Sequence, residues 1–379
     1  MDKTLQEAAT NMDVPSVRQW KEGGGKVVGY TCAFLPVEVF HAAGILPIRL
    51  RGIQAEAMEI AASYYGPFVC SFPKAILQIA GSGAYDFLDG VVISNGCDTM
   101  RRLDDCWRKM GKDIGGSAPG WFHYFDVPHK PDGHAFDWYV DQVNKLITAI
   151  ETTFGVVITG EKLENAIREQ NRIRNHLFEL ESLRRSEVSR VSGADAYAAI
   201  VAGTVMPRDL YGQLLSDFVD DIRGTEAAGE HGRKRLFLGG SVCDDLELVK
   251  LIEDSGAVVV GENICFGVKD AADRVAEIGD PVEALTKKYL TGAACPRMMG
   301  WYKQRRGEIT RRVRDSGAHG VVLQNIRFCD LHGSENGLLE GHLEKEGIPS
   351  LRIEREYGPL TETGRLKMRI DAFLEQLQG

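Results

Sequence analysis

The sequence predicts an α/β protein built on mainly parallel strands, and three observations carry that prediction. Short apolar runs, each followed by a helix-like pattern, recur along the chain. A densely charged amphipathic stretch interrupts them after about residue 135, and the strand and helix alternation resumes from residue 235.

Taken in order, KVVGYT (26–31), ILPIRL (45–50) and GVVISN (90–95) are short and almost continuously apolar, as strands covered on both faces are. Between the first two, Pro36 suits the first turn of a short helix and Gly44 its C-terminal end, which places Glu38 and His41 on one face. The stretch EKLENAIREQNRIRNHLFELESLRRSE (161–187) spaces Leu163, Ile167, Leu177 and Leu180 as one long amphipathic helix or a helical pair. RLFLGGS, AVVVGE, GVVLQN and PSLRIE then give the strands of a second half. A chain of 379 residues exceeds what one core usually supports. The expected division is a first α/β domain with an N-terminal helical segment (1–135), a helical insert (136–232) and a second α/β domain (233–379). A cleft between two such halves is a common place for a site.

Composition removes several classes of function. Asp and Glu outnumber Lys and Arg by 54 to 45, a net charge of −9, which disfavours nucleic acid as a partner. The N-terminal MDKTLQEAATNMDVPSVRQW has no apolar signal core, and no run approaches the ~20 apolar residues of a membrane span. A cytoplasmic protein with no membrane partner is expected, and its 8 cysteines are then expected to be thiols or ligands, not disulfides. GGGKVVG lacks the Ser or Thr of a phosphate-binding loop, GSGAYD lacks the third glycine of a dinucleotide turn, and no G-x-S-x-G elbow is present. Any ATP requirement must be met by another chain.

A different pattern repeats. GVVISNGCDTM, RLFLGGSVCDDLEL and GVVLQNIRFCDL each run strand, Cys-Asp, helix, which puts Cys97, Cys243 and Cys329 beyond the carboxyl ends of strands, where ligands gather in open parallel sheets. Asp98, Asp244 and Asp330 read as caps of the following helices. A thiol at such a helix start is stabilised as thiolate. Thiolates gathered from separate loops suit zinc or an iron–sulfur cluster. No C-x-x-C pair occurs, so a zinc ribbon and a dithiol redox motif are unsupported. Arg101 and Arg102 read as partners of Asp104 and Asp105, or as compensation for an anionic centre.

The segments YTCAFLPVEVFHAAGILPIRL, VVISNGCDTMRRLDDCW, GGSVCDDLELVKLIEDSGAVVVGENICFG and VVLQNIRFCDLHGSENGLLEGHLEKEGIP resemble, in order, the 2-hydroxyacyl-CoA dehydratase and benzoyl-CoA reductase family. RFCDLHGSENG and the tail LRIEREYGPLTETGRLKMRIDAFLE are most similar to the smaller family-type subunit of the ATP-dependent reductases. The resemblance implies two Rossmann-like domains with helical additions and a 4Fe-4S cluster in the cleft between them. By motif, its ligands fall on Cys70 in GPFVCSFPKA, Cys97 in NGCDTM and Cys329 in RFCDLH, with Cys32 in YTCAF either a fourth ligand or a thiol just behind the ligands. It assigns no ligand role to Cys243 or Cys265, and Cys106 and Cys295 read as packing. Glu38 carries over from a P-x-E segment near the acyl group in dehydratase relatives, as an acid or base. His41 and His332 become proton donors only if they face the cleft.

The activity implied is transfer of a low-potential electron to an aromatic acyl-CoA, giving a cyclic dienoyl-CoA. The implied partners are a second family-type subunit and ATP-hydrolysing iron–sulfur subunits. The alternatives are a 2-hydroxyacyl-CoA dehydratase subunit using ketyl radical chemistry, and a non-catalytic iron–sulfur electron carrier.

Overall fold

The computed structural model describes residues 1–115, 118–225, 232–268, 273–292 and 295–378. The chain opens with α1 (Lys3–Thr10) and α2 (Pro15–Glu22), followed by β1 (Lys26–Tyr30), α3 (Glu38–Ala42), β2 (Ile45–Arg49), α4 (Glu59–Ala62), α5 (Ser71–Gly81), β3 (Gly90–Ser94), α6 (Asp98–Ile114) and β4 (Trp121–Phe125). The four strands form a parallel sheet in the order β2-β1-β3-β4. β1 to β3 are buried except for Lys26, which is why they read as apolar runs. β4 is a strand that the sequence pattern does not predict. Its WFHYF is half-exposed at the sheet edge, and Trp121 lies so close to Gly90 that a Cβ there would meet its ring at 2.5 Å. α6 buries Met100, Leu103, Trp107 and Met110 at helical spacing.

The middle of the chain is helical: α7 (Ala135–Phe154), α8 (Gly160–Arg185), α9 (Gly193–Ala202) and α10 (Arg208–Gly224). α8 is one continuous helix of 26 residues. It buries Leu163, Ile167, Leu177 and Leu180 as expected, and also Arg174, Glu181 and Arg184. Buried charges persist when paired and hydrogen-bonded. Arg184 donates to Val259 O at 2.9 Å and pairs with Glu181 and with Glu262 in the second half, while Arg174 reaches Glu38 on α3. The helix therefore joins the two halves of the molecule.

The second half contains β5 (Lys234–Gly240), α11 (Glu247–Asp254), β6 (Ala257–Asn263), α12 (Pro281–Gly292), α13 (Tyr302–Asp315), β7 (Gly320–Ile326), α14 (Asp330–Lys345), β8 (Ser350–Arg355) and α15 (Thr363–Gln376). Its parallel sheet has the order β6-β5-β7-β8, the same topology as the first. In each sheet the order reverses between the two central strands, β1 and β3 or β5 and β7, and the carboxyl ends at such a reversal open a crevice. No described helix is long and apolar enough to cross a membrane.

Candidate functional site

Four cysteines stand just past the carboxyl ends of the central strands: Cys32 after β1, Cys97 after β3, Cys243 after β5 and Cys329 after β7. Cys97 is the N-cap residue of α6, its Sγ accepting from Met100 N at 3.4 Å. Cys329 is the N-cap residue of α14, with the N–H groups of Leu331 and His332 facing its sulfur. Cys70 is the N-cap residue of α5, with the N–H of Phe72 toward it. Three helix starts thus present sulfur where the helix dipole favours an anion. The aspartates are not the caps the sequence predicts. Asp98 is exposed and pairs with Arg101 at 3.5 Å, and Asp330 is the first residue within α14. Asp244 lies before α11, fully buried, accepting from Tyr357 OH at 2.7 Å. The reason is geometric: in the turns before α6 and α14 the cysteine holds the extended backbone of a cap and the aspartate has already entered the helix.

Cys70 and Cys329, one from each half of the molecule, stand close enough for each to shift the other's titration. Cys97 senses both Cys329 and Cys32 electrostatically, and the Cys32 sulfur lies 3.8 Å from where a Cβ on Gly96 would stand. Cys70, Cys97 and Cys329 therefore share one neighbourhood at the strand ends, with Cys32 beside Cys97. Cys243 is fully buried with its sulfur toward Asp245 O at 3.6 Å, Cys106 turns to Tyr64 O at 3.7 Å, and Cys265 and Cys295 pack against the core.

Burial pushes the Cys97 thiol up to about 12, with the backbone N–H of Met100 opposing. Cys70 is raised by its contact with Cys329 and then by burial, whereas Cys329 is lowered by that same contact and by the helix N–H groups. A bound cation reverses this ordering, because coordination deprotonates the thiol outright.

What holds Cys70 against the second half is a set of contacts at the next residues. Ser71 Oγ donates to Glu356 Oε2 at 2.8 Å and accepts from Tyr357 N at 2.9 Å, and Phe72 packs edge-on to Tyr357 at 4.9 Å. Tyr357 OH in turn accepts from Gly52 N at 2.9 Å. The turn before Cys97 is fixed by Arg297, which the sequence does not single out. Its buried guanidinium donates to the carbonyls of Asn95 (2.7 Å), Gly96 (2.8 Å), Val127 (2.8 Å) and Pro128 (2.7 Å). The two non-glycine residues with positive φ among those described, Phe266 (70°) and Phe328 (61°), each adjoin a cysteine at a strand end. Strain of this kind concentrates at functional sites. Phe328 also meets Phe68 edge-to-face at 5.8 Å across the halves.

Glu38 is placed differently from the expectation of an acid or base. It is 0 % exposed, with Oε1 on Arg174 Nη2 at 2.6 Å and Oε2 on Tyr289 OH at 2.8 Å, so neither oxygen is available to a substrate. Burial raises its pKa, but Arg174, Lys288 and the Tyr289 hydroxyl outweigh burial and hold it as a carboxylate below its usual range. His41 is kept neutral, pushed down to about 3 by burial and by Arg208. It lines a pocket of ≈ 100 Å³ together with Arg49, Arg174 and Phe266. His332 is buried on the first turn of α14.

Among the described residues, no group of three or more His, Cys, Asp or Glu side chains is arranged to hold a metal ion. A cubane cluster takes one thiolate on each ligated iron, and its ligands stand farther apart than those of a single ion. Three soft donors from separate loops, each at a helix start and drawn from both halves, are of the type such a cluster would take.

The chain is 28% identical over 354 residues to a subunit of the benzoyl-CoA reductase of Thauera aromatica, covering 91% of this chain and 89% of that protein. It is 24% identical to the beta subunit of lactoyl-CoA dehydratase from Anaerotignum propionicum (94% and 93% covered) and 22% identical to the beta subunit of (R)-2-hydroxyglutaryl-CoA dehydratase from Acidaminococcus fermentans (95% and 94%). The model of the family described as 2-hydroxyglutaryl-CoA dehydratase, D-component, matches residues 32–377, a span that includes all four strand-end cysteines and Cys70, and the chain belongs to that family.

Proposed function

We propose that this chain is the iron–sulfur subunit of an ATP-dependent reductase of the benzoyl-CoA type, relaying low-potential electrons towards an aromatic acyl-CoA. The observation that carries the proposal is the convergence of Cys70, Cys97 and Cys329 at three helix starts. A 4Fe-4S cluster bound there supplies one-electron chemistry at low potential. The protein's own contribution is positional: Arg297 fixes the Cys97 turn, the Ser71 and Tyr357 contacts hold Cys70 across the cleft, and the helix N–H groups favour thiolate. In this reading a second family-type subunit and an ATP-hydrolysing iron–sulfur subunit complete the enzyme.

The test is anaerobic purification with iron and acid-labile sulfide analysis, followed by turnover of benzoyl-CoA with partner subunits and ATP. Cys97→Ser and Cys329→Ser should lose most of the iron, while Cys106→Ser keeps it. Colourless, iron-free wild-type protein sinks the reading. A dehydratase subunit is the second reading, supported by two dehydratase beta subunits matched over as much of the chain. Reductant consumed in proportion to product marks the reductase, and a catalytic trace of reductant marks the dehydratase.

A further inference from the structure

The turn from β7 into α14 uses a residue that its backbone does not favour. Cys329 N donates to Ile326 O at 2.9 Å, which closes residues 326–329 as a turn, and Phe328 is its third residue at φ 61°. A positive φ at that place is the geometry that glycine or asparagine serves best, so a phenylalanine is held there against its own preference. Such a residue is kept for its side chain and not for the turn.

Burial does not account for that side chain. Phe266, the other non-glycine residue with positive φ among those described, is 1 % exposed with its ring against Arg49 and Phe72. Phe328 is 41 % exposed, and the ring it meets is Phe68, edge-to-face with centroids 5.8 Å apart. Phe68 is itself 78 % exposed, so neither ring is there to fill a core. Both stand on anchored backbone. Arg327 N donates to Arg355 O at 2.9 Å on one side; on the other, Tyr65 OH donates to Thr99 O at 3.0 Å and Pro67 O accepts from Lys74 Nζ at 3.4 Å. Phe328 directly precedes Cys329, and Phe68 stands two residues before Cys70. The contact therefore ties together two loops that carry cysteines from opposite halves.

We propose that Phe68 and Phe328 form an aromatic clasp between the two halves, which limits the size of solute that reaches Cys70 and Cys329. Edge-to-face rings attract beyond the area they bury, and loss of one such pair shifts a local opening equilibrium by about threefold to tenfold. Opening parts the two loops without unfolding the helices that follow them. The clasp acts on access to the thiols themselves and stands whether or not iron is bound.

Maleimide labelling of the full-length protein tests it, on protein kept reduced and freed of iron by a chelator, with each cysteine read separately by peptide mass mapping. N-ethylmaleimide and fluorescein maleimide carry the same reactive group at different size, so their rate ratio reports access and cancels any change in thiol reactivity. In Phe68→Ala and in Phe328→Gly the bulky reagent should gain on the small one by at least about threefold at Cys70 and Cys329. The partly exposed Cys106 and Cys295 should show no such gain. Phe68→Tyr, which keeps the ring, should match the parent, and the double variant should match the stronger single one, because both lose the same contact. Phe68→Ala alters an exposed side chain and keeps the test open whatever the turn at 328 tolerates, with circular dichroism checking the fold of each variant. An unchanged ratio in folded Phe68→Ala, an equal gain at Cys106, or multiplied effects in the double variant overturns the proposal. Iron content, measured on a separate untreated sample, decides the cluster reading independently.

Discussion

Replacing Glu38 by Gln changes one charge in a buried pair and leaves the shape nearly intact. Arg174 and Glu38 are 1 % and 0 % exposed, so removing the carboxylate strands a guanidinium that water cannot reach. Breaking a buried pair in this way typically costs ~3–5 kcal/mol. The glutamine oxygen can serve Arg174 or Tyr289 but not both, which adds roughly 1 kcal/mol for the lost hydrogen bond within that range. Glu38→Gln should therefore lower the urea midpoint by the equivalent of that loss with an unchanged slope, read by circular dichroism and tryptophan fluorescence. Arg174→Gln alone should be destabilising too, and the double variant should recover at least ~2 kcal/mol relative to the sum of the singles. The acid limb adds a second check. A carboxylate lowered by its neighbours contributes stability above its unfolded pKa and loses it as pH falls through the folded one, so the glutamine variant should be flatter below the usual carboxyl range. Strictly additive single variants, or a Glu38→Gln protein within ~1 kcal/mol of the parent, would refute the anchoring role.

Asp244 gives the opposite pH behaviour. Burial raises it from 3.8 to about 6 against the pull of Arg51 and Arg355, so its contribution to stability is greatest below pH 4 and is lost as pH rises through 6; Asp244→Asn should reduce the fall in stability between pH 4 and 7 by about 2 kcal/mol in urea titrations. Gly240 sits at φ 120° with Gln324 O only 1.8 Å from a Cβ position, so Gly240→Ala should separate β5 from β7 and yield insoluble or strongly destabilised protein on expression. Arg297→Met leaves four carbonyls near the Cys97 turn without their donor and should lower iron retention on chelator challenge more than Cys243→Ser does.

β1–β3 and β5–β7 were legible because burial on both faces writes a near-continuous apolar run, whereas β8, half-exposed at its sheet edge, was legible from its place in the strand and helix alternation. β4 was not, because an edge strand of aromatic residues with one face half in solvent carries neither an apolar run nor a clean alternation. The strand-end cysteines were legible from the recurring strand, Cys-Asp, helix order. Their capping role was not, since a sequence pattern gives the usual preference for Asp at a helix start and cannot register the backbone to one residue. Arg174 and Arg184 look like two more charges on a solvated helix; only the packing of α8 between the halves reveals that both are buried. Arg297, in a segment without periodicity, gave no signal at all.

The two sheets share one topology, and that symmetry accounts for part of the cluster and no more. Cys97 and Cys329 occupy equivalent positions, each beginning the helix after the third strand of its half. Cys32 and Cys243 follow the two first strands, yet only Cys32 stays near the cluster. The Cys243 carbonyl takes the Tyr197 hydroxyl from α9, and its thiol is drawn toward Asp245, so packing of the helical segment removes it. Cys70 has no counterpart after a first or third strand, and it is held against the second half by the bonds of Ser71 to Glu356 and Tyr357. Two sheets of one strand order place Cys97 and Cys329 equivalently, and the remaining cysteines differ because different helices pack on the two halves. That asymmetry lies in how α5 and α9 dock: Ser71 at the start of α5 ties Cys70 to Glu356 and Tyr357, and Tyr197 of α9 takes the Cys243 carbonyl.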